Sequence, residues 1–238
     1  METIATRLES VKSRIAEAAK LAGRDPQEIL LLAASKTNQP EKLREAWNAG
    51  QKVFGENYLQ EGLIKIRALA DLPIEWHFIG PIQSNKTKPI AENFAWVHSI
   101  DREKIAVRLS SARPESLPPL QVCVQVNVSG EVTKSGIAPE DAIALAKFVS
   151  QQPRLKLRGL MAVPELTSAT ALQREQFQIM REIFEQLKKE GFDVDTLSMG
   201  MSEDMTIAIA EGATIVRIGT AIFGARRYAI PEELAPRE

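Results

Sequence analysis

The feature that most constrains the fold is an alternation of short apolar runs and longer helix-like stretches, which recurs eight times along the 238 residues. Several runs are apolar throughout instead of alternating with polar residues, which is typical of parallel strands covered on both faces. Each run ends in a glycine or a polar turn. The predicted strands cover residues 29–34, 52–55, 75–79, 96–99, 121–128, 156–162, 196–199 and 214–218.

The stretches between the runs predict helices. Ile4, Leu8, Val11 and Ile15 form an apolar stripe that predicts a helix over 2–21, and Gly23 would end it. Further helices are predicted over 40–49, 57–70, 139–149 and 170–189.

Eight strand–helix units predict an α/β fold, a single (β/α)8 TIM-type barrel over residues 1–238 with an extra N-terminal helix. An open, doubly wound sheet is the alternative. Its dinucleotide-binding form would need a glycine-rich G-x-G-x-x-G turn after the first strand, and this sequence has none there.

The composition narrows the classes of partner. The net charge of −1 argues against nucleic acid or an anionic membrane as a partner. The apolar runs fall short of the roughly 18 residues of a membrane span, and the first residues are too charged for a signal peptide. Two histidines and one cysteine make a metal site on those ligands improbable and exclude an intrachain disulfide. We therefore expect a cytoplasmic protein.

Lys36 is the first candidate for chemistry, because function in such barrels gathers at the carboxyl ends of the strands. Lys36 directly follows the first apolar run, so its amine is expected at the barrel mouth. Partial desolvation lowers the pKa of a lysine and makes it a nucleophile toward an aldehyde or ketone. The other interpretation is a strand-end lysine that reaches solvent or pairs with a carboxylate.

Two neighbouring strand ends suit a phosphate monoester. The seventh strand leads to Ser202 and the eighth to Thr220, each before a predicted helix start. Amide groups at helix starts, together with these hydroxyls, would bind phosphate where barrels commonly bind it. Ser202 is also predicted to be an N-cap. The two acidic residues that follow it would oppose an anion if they pointed inward.

Arg217 bears on the identity of the ligand. A lysine that faces a phosphate site suggests a phosphorylated aldehyde, either pyridoxal 5′-phosphate (PLP) or the sugar phosphate of a class I aldolase. A guanidinium that points into the barrel would donate to the pyridine nitrogen of PLP and keep it unprotonated, which makes the ring a weak electron sink. An Arg217 turned toward a carboxylate on the rim would have no such meaning.

Seven motifs together are similar to those of a known family. They are LAASK ending at Lys36, FGENY around Asn57, WHFIGPIQSNK from Trp76 to Lys86, KSG from Lys134 to Gly136, RGLM from Arg158 to Met161, LSMGMSEDM around Ser202, and RIGTAIFG from Arg217 to Gly224. On these motifs the whole chain resembles the pyridoxal phosphate homeostasis proteins, the YggS/PROSC family. That family is similar in turn to the N-terminal barrel of alanine racemase.

The resemblance implies roles for individual residues. Lys36 would hold PLP as a Schiff base, and Arg217 would meet the pyridine nitrogen. The phosphate ligands would be Ser202, Gly219 and Thr220. The pocket would also be lined by Asn57, His77, Met161 and Ser198, although His77 is equally compatible with a satisfied core histidine.

The resemblance implies a PLP-binding protein of vitamin B6 homeostasis that releases or transfers the cofactor, with apo PLP-dependent enzymes as transient partners and without robust catalysis. The alternative is a PLP-dependent amino-acid racemase or decarboxylase. A racemase needs a second base opposite Lys36, and neither Tyr58 nor Tyr228 is an obvious one. The domain with which alanine racemase completes its partner's site has no counterpart here, so we expect a monomer. Lys86 and Lys134 are candidates for a second, transient PLP site.

Overall fold

The apolar runs form a closed barrel of eight parallel strands in a computed structural model that describes residues 2–131, 135–165 and 169–224. The strands pair in chain order, and the eighth closes against the first. The strands are β1 (Leu30–Ala34), β2 (Val53–Glu56), β3 (Glu75–Phe78), β4 (Trp96–Ile100), β5 (Leu120–Val126), β6 (Leu155–Ala162), β7 (Thr196–Ser198) and β8 (Ile215–Ile218).

Helices follow the strands and cover the barrel, because parallel strands need crossover connections. They are α1 (Ile4–Leu21), α2 (Pro40–Asn48), α3 (Leu59–Ala68), α4 (Thr87–Asn93), α5 (Glu103–Ala112), α6 (Ala142–Ser150), α7 (Thr170–Lys189), α8 (Met205–Ala210) and α9 (Thr220–Phe223). The predicted (β/α)8 architecture is confirmed, and the open-sheet alternative is wrong.

The N-terminal helix lies where the apolar stripe predicts it. Leu8, Val11 and Ile15 are buried on one face of α1. The helix ends at Leu21, and Gly23 adopts a φ of 68°, a left-handed conformation that glycine takes without a side-chain penalty. The amide of the next residue, Arg24, donates to the carbonyl of Ala19 at 2.9 Å and closes the end of the helix.

Each strand has two buried faces with different partners. Outward side chains such as Phe54, Phe78 and Val97 belong to the main apolar core, which lies between the strands and the helices. The interior of the barrel is more polar, since it contains His77 and His98, both fully buried.

The observed bounds depart from the predicted ones by at most three residues, and those of α7 coincide with them. β2 continues to Glu56, because the backbone of Glu56 pairs with Phe78 of β3. The predicted helix over 139–149 begins with a 3-10 turn, Pro139–Asp141, before α6. Among the described residues, we find no helix with the length and apolar character that a membrane crossing requires.

Candidate functional site

Lys36 occupies a tight turn at the carboxyl end of β1. The chain leaves the strand through Ser35, and Thr37 adopts a φ of 63°, which is uncommon for a β-branched residue. The carbonyl of Lys36 accepts hydrogen bonds from the Thr37 hydroxyl at 2.6 Å and from the side-chain amide of Asn38 at 3.1 Å. The half-buried Lys36 is thus carried by a constrained backbone at the barrel mouth.

A buried ion pair anchors this turn from behind. Lys65 of α3 donates to the Ser35 carbonyl and to Oε1 of Glu56, both at 2.8 Å. The Ser35 hydroxyl donates to the same carboxylate oxygen at 2.5 Å. Burial raises the pKa of Glu56, and the charge of Lys65 opposes that rise. The residue before Lys36 is therefore fixed through both its carbonyl and its side chain.

The phosphate-site candidates at the end of β8 lie next to this turn. Leu32 of β1 pairs with Arg217, and Ala33 pairs with Ile218, so Gly219 and Thr220 leave their strand beside the end of β1. A Cβ on Gly219 would lie 3.0 Å from the Ala34 carbonyl oxygen, which shows how closely the two strand ends approach.

α9 begins at Thr220, where the first amide groups of a helix lack intrahelical acceptors. Within the described part of the chain, the Thr220 and Ala221 amides have no backbone acceptor. These groups can donate to an anion.

Ser202 has a different role in the backbone from the predicted one. α8 begins at Met205 with Asp204 in the N-cap position, so the predicted N-cap at Ser202 is wrong. The reason is a tight turn in which Oδ1 of the buried Asp204 accepts from the Met201 amide at 2.5 Å. Ser202 is half-buried, and its carbonyl accepts from Arg14 at 3.0 Å, which leaves the hydroxyl outside the capping role.

Arg217 points into the barrel from β8. It is 5% exposed, and burial lowers its pKa to about 10. Its Nη1 donates to the carbonyl of Ser198 at 2.6 Å and to the hydroxyl of Ser198 at 2.8 Å, and its Nη2 donates to the carbonyl of Ala162 at 2.7 Å. The guanidinium is held by the last residues of β6 and β7 and is buried inside the barrel.

His77 and Met161 lie deeper than the mouth. His77 is fully buried and stacks on Trp96, with ring centroids 5.1 Å apart. Met161 packs with Trp96 and Cys123, and burial raises the pKa of the Cys123 thiol to about 12. Their part in a ligand pocket stays a prediction, and the structure gives them a place in the barrel interior.

Asn57 follows β2 and is half-buried. Its Oδ1 is buried with no hydrogen-bond partner among the described residues. A buried acceptor without a donor is costly unless a ligand or water supplies one. Asn57 therefore fits a ligand-contacting position.

A cavity of about 700 Å³ extends from Asn57 beyond the ends of β2, β3 and β4. Its volume is in the range of small-molecule pockets. Tyr58, Lys86 and Arg102 are among its lining residues. Lys134 and Tyr228 lie outside the described residues.

Three further residues of this region, Glu56, Lys65 and His98, were not among the predicted site residues. Glu56 and Lys65 form the buried pair, and the spacing of Lys65 from Glu61 was the available sign of a helix-face ion pair. His98 shares the interior face of β4 with Trp96, as the two-residue period of a strand indicates.

The residues at the mouth fit PLP chemically. One amine follows a fixed turn, the first amides and the hydroxyl of α9 follow the neighbouring strand β8, and β8 also carries a buried guanidinium. The sequence matches the description "Alanine racemase, N-terminal domain" over residues 7–227.

Relatives of known name cover nearly the whole chain. A pyridoxal phosphate homeostasis protein of Pseudomonas aeruginosa is 61% identical over 231 residues, which span 97% of this chain and 99% of that protein. The protein of the same name from Escherichia coli K12 is 52% identical over 96% of this chain and 99% of its own length. The structure of PipY from Synechococcus elongatus with PLP bound has a TM-score of 0.78 at 37% identity, covering 88% of this chain and all of that chain. This chain belongs to the pyridoxal phosphate homeostasis protein family.

Proposed function

We propose that this protein binds PLP as a Schiff base on Lys36 and acts in PLP homeostasis in the cytoplasm. The observation that supports this most is the strand register at the mouth, where β1 lies between β8 and β2. Lys36 therefore follows a strand flanked by the one that leads to Gly219 and by the one that leads to Asn57, whose Oδ1 has no hydrogen-bond partner among the described residues.

Each residue has a chemical task in this proposal. The amine of Lys36 forms a C=N bond with the aldehyde carbon of PLP, and the aldehyde oxygen leaves as water. Ser202, Gly219 and Thr220 bind the phosphate through hydroxyl and amide groups. Arg217 donates to the pyridine nitrogen. Its hydrogen bonds to Ser198 and Ala162 orient the guanidinium for this role. The rest of the pocket is supplied by Asn57, His77, Met161 and Ser198.

The same geometry favours a carrier over an enzyme. PLP serves enzymes as an electron sink, and a guanidinium at the pyridine nitrogen weakens that sink. Tyr58, the one tyrosine in the described residues, is 56% exposed at the start of α3 and is poorly placed to act as a second base. We therefore propose that the protein holds and transfers PLP without robust catalysis.

An absorption spectrum before and after addition of PLP tests the proposal. We expect a Schiff-base band in the wild-type protein and its loss in Lys36→Ala. Lys88→Ala is the matched control, because Lys88 is exposed on α4 and pairs only loosely with Glu92 at 3.9 Å. The absence of a band in the wild-type protein would overturn the Schiff base on Lys36. Sustained amino-acid turnover that Lys36→Ala abolishes would instead favour the racemase or decarboxylase alternative.

We further propose a monomer that donates PLP to apo PLP-dependent enzymes. Light scattering of the purified protein should give the mass of one 26.3 kDa chain. The loaded protein should also restore activity to an apo-enzyme, and a loaded sample that leaves the apo-enzyme inactive would contradict the transfer step.

A further inference from the structure

A chain of hydrogen bonds crosses the barrel interior from Arg217 to the opposite face. Arg217 donates to the Ser198 hydroxyl at 2.8 Å, and that oxygen lies 2.8 Å from Nδ1 of His98. Nε2 of His98 lies 2.9 Å from Nδ1 of His77, and Nε2 of His77 lies 2.9 Å from Oε1 of Glu75. Glu75 is the first residue of β3, so the chain ends at the face of the barrel away from Lys36.

The donor and acceptor types of the side chains give every hydrogen bond from Arg217 to Glu75 the same direction. Arginine only donates, so Ser198 accepts from Arg217 and its own hydrogen must go elsewhere. Among the described residues, Nδ1 of His98 is positioned to accept that hydrogen, which leaves the His98 proton on Nε2. By the same rule, His98 donates to Nδ1 of His77, and His77 donates from Nε2.

Glu75 accepts the last hydrogen bond of the series, from Nε2 of His77. A carboxylate accepts without donating, and the hydrogen bond from His77 lowers the pKa of Glu75. The reverse direction would need a protonated Glu75 and would leave the Ser198 hydroxyl hydrogen without its histidine acceptor. Burial of both histidines also lowers their pKa and favours the neutral rings that the chain requires.

The chain also has a rigid frame. His77 stacks on Trp96 with an interplanar angle of 14°, and Arg158 lies over the Trp96 ring at 4.7 Å. Both histidines are fully buried, whereas the side chain of Glu75 is 48% exposed. The solvent-facing end of the chain is therefore the carboxylate that accepts its last hydrogen bond.

We propose that Glu75 is a positioning residue for the PLP site, acting through His77, His98 and Ser198 to hold both histidines as neutral Nε2–H tautomers and to orient Arg217. The effect on the cofactor rests on the proposed function, because it assumes that Arg217 meets the pyridine nitrogen. The tautomers themselves belong to the protein alone and can be measured without PLP.

Nitrogen NMR of the full chain without PLP tests the tautomers directly. The sequence contains only two histidines, so each ring signal belongs to this chain of bonds. We expect both rings to show a protonated Nε2 and an unprotonated Nδ1 at neutral pH. A protonated Nδ1 on either ring would overturn the proposal.

Two substitutions at Glu75 separate positioning from a general structural role. Glu75→Gln keeps an oxygen that can accept from His77, whereas Glu75→Met removes it. We expect Glu75→Gln to keep the wild-type tautomers, and Glu75→Met to change the ring signals of His98 as well as those of His77. Glu92→Met, which removes an exposed carboxylate on α4, is the control and should change neither.

PLP titration of the same variants tests the link to the cofactor. We expect Glu75→Met to weaken PLP binding about two- to tenfold, the range of the net contribution of a typical hydrogen bond. Its bound absorption maximum should also shift, and Glu75→Gln should restore both. Equal behaviour of Glu75→Met and Glu75→Gln, or an unchanged His98 in Glu75→Met, would refute the positioning role. If the wild-type protein bound no PLP, the proposed function and this role would both fail, while the NMR would still report on the tautomers.

Discussion

Replacing Lys65 with methionine is expected to cost about 3 to 5 kcal/mol of the free energy of unfolding, because it leaves a buried carboxylate without its partner. The side chain of Lys65 is 5% exposed and that of Glu56 is fully buried. The substitution also removes the donor to the Ser35 carbonyl. For a chain of this length, the loss corresponds to a fall in Tm of about 6 to 20 °C.

Urea unfolding followed by circular dichroism measures this loss, with Lys88→Met as the matched control. Lys88 also pairs with a carboxylate on its own helix, but both side chains are exposed, so we expect its loss to stay under about 1 kcal/mol. A loss for Lys65→Met as small as that of the control would refute the importance of the buried pair.

The double variant Lys65→Met with Glu56→Met isolates the interaction. Removing both charges eliminates the unpaired carboxylate, so the double variant should be more stable than Lys65→Met alone. If the two single losses simply added, the ion pair would contribute no coupling. The reasoning about the turn before Lys36 would then be wrong.

Two further predictions concern the barrel itself. As the pH falls from 6.5 to 5.5, the free energy of unfolding should decrease in both the wild type and His98→Gln. The decrease should be about 1 kcal/mol smaller in His98→Gln. Burial lowers the pKa of His98 well below 6.5, so the unfolded chain binds more protons than the folded one and stability is lost as the pH falls. Parallel curves of unfolding free energy against pH for the two proteins would contradict this. Gly159→Ala should cost about 2 to 4 kcal/mol, since Gly159 has a φ of 148° and a new Cβ would lie 1.9 Å from the Thr196 carbonyl oxygen. Gly23→Ala is its control, with a φ of 68° and open space around the Cβ, and urea unfolding should show a loss of only about 1 kcal/mol.

The sequence was informative where its signals are local. Apolar runs of limited length predicted all eight strands, because a strand covered on both faces must be apolar along its length. Their ends were less certain, as Asn127 shows. It was predicted to lie in the fifth strand, but its side chain accepts from the Ser129 amide at 3.2 Å and turns the chain there.

The interior contacts depend on residues far apart in sequence. Ser198 and His98 are 100 residues apart, and their hydrogen bond exists only once the barrel closes. Lys65 looked like an ordinary helix-surface lysine with Glu61 four residues away. Lys65 shares the buried face of α3 with Leu59 and Gly62, but its contacts with Glu56 and Ser35 follow from how the helix packs on the barrel.

Borohydride reduction of the PLP-loaded protein, followed by peptide mass spectrometry, tests the central claim most directly. Reduction converts a C=N bond into a stable amine and leaves the cofactor on the lysine that held it. We predict the label on Lys36. Labelling of Lys42 or Lys86 with Lys36 unmodified would contradict the account, as both are lysines near the mouth.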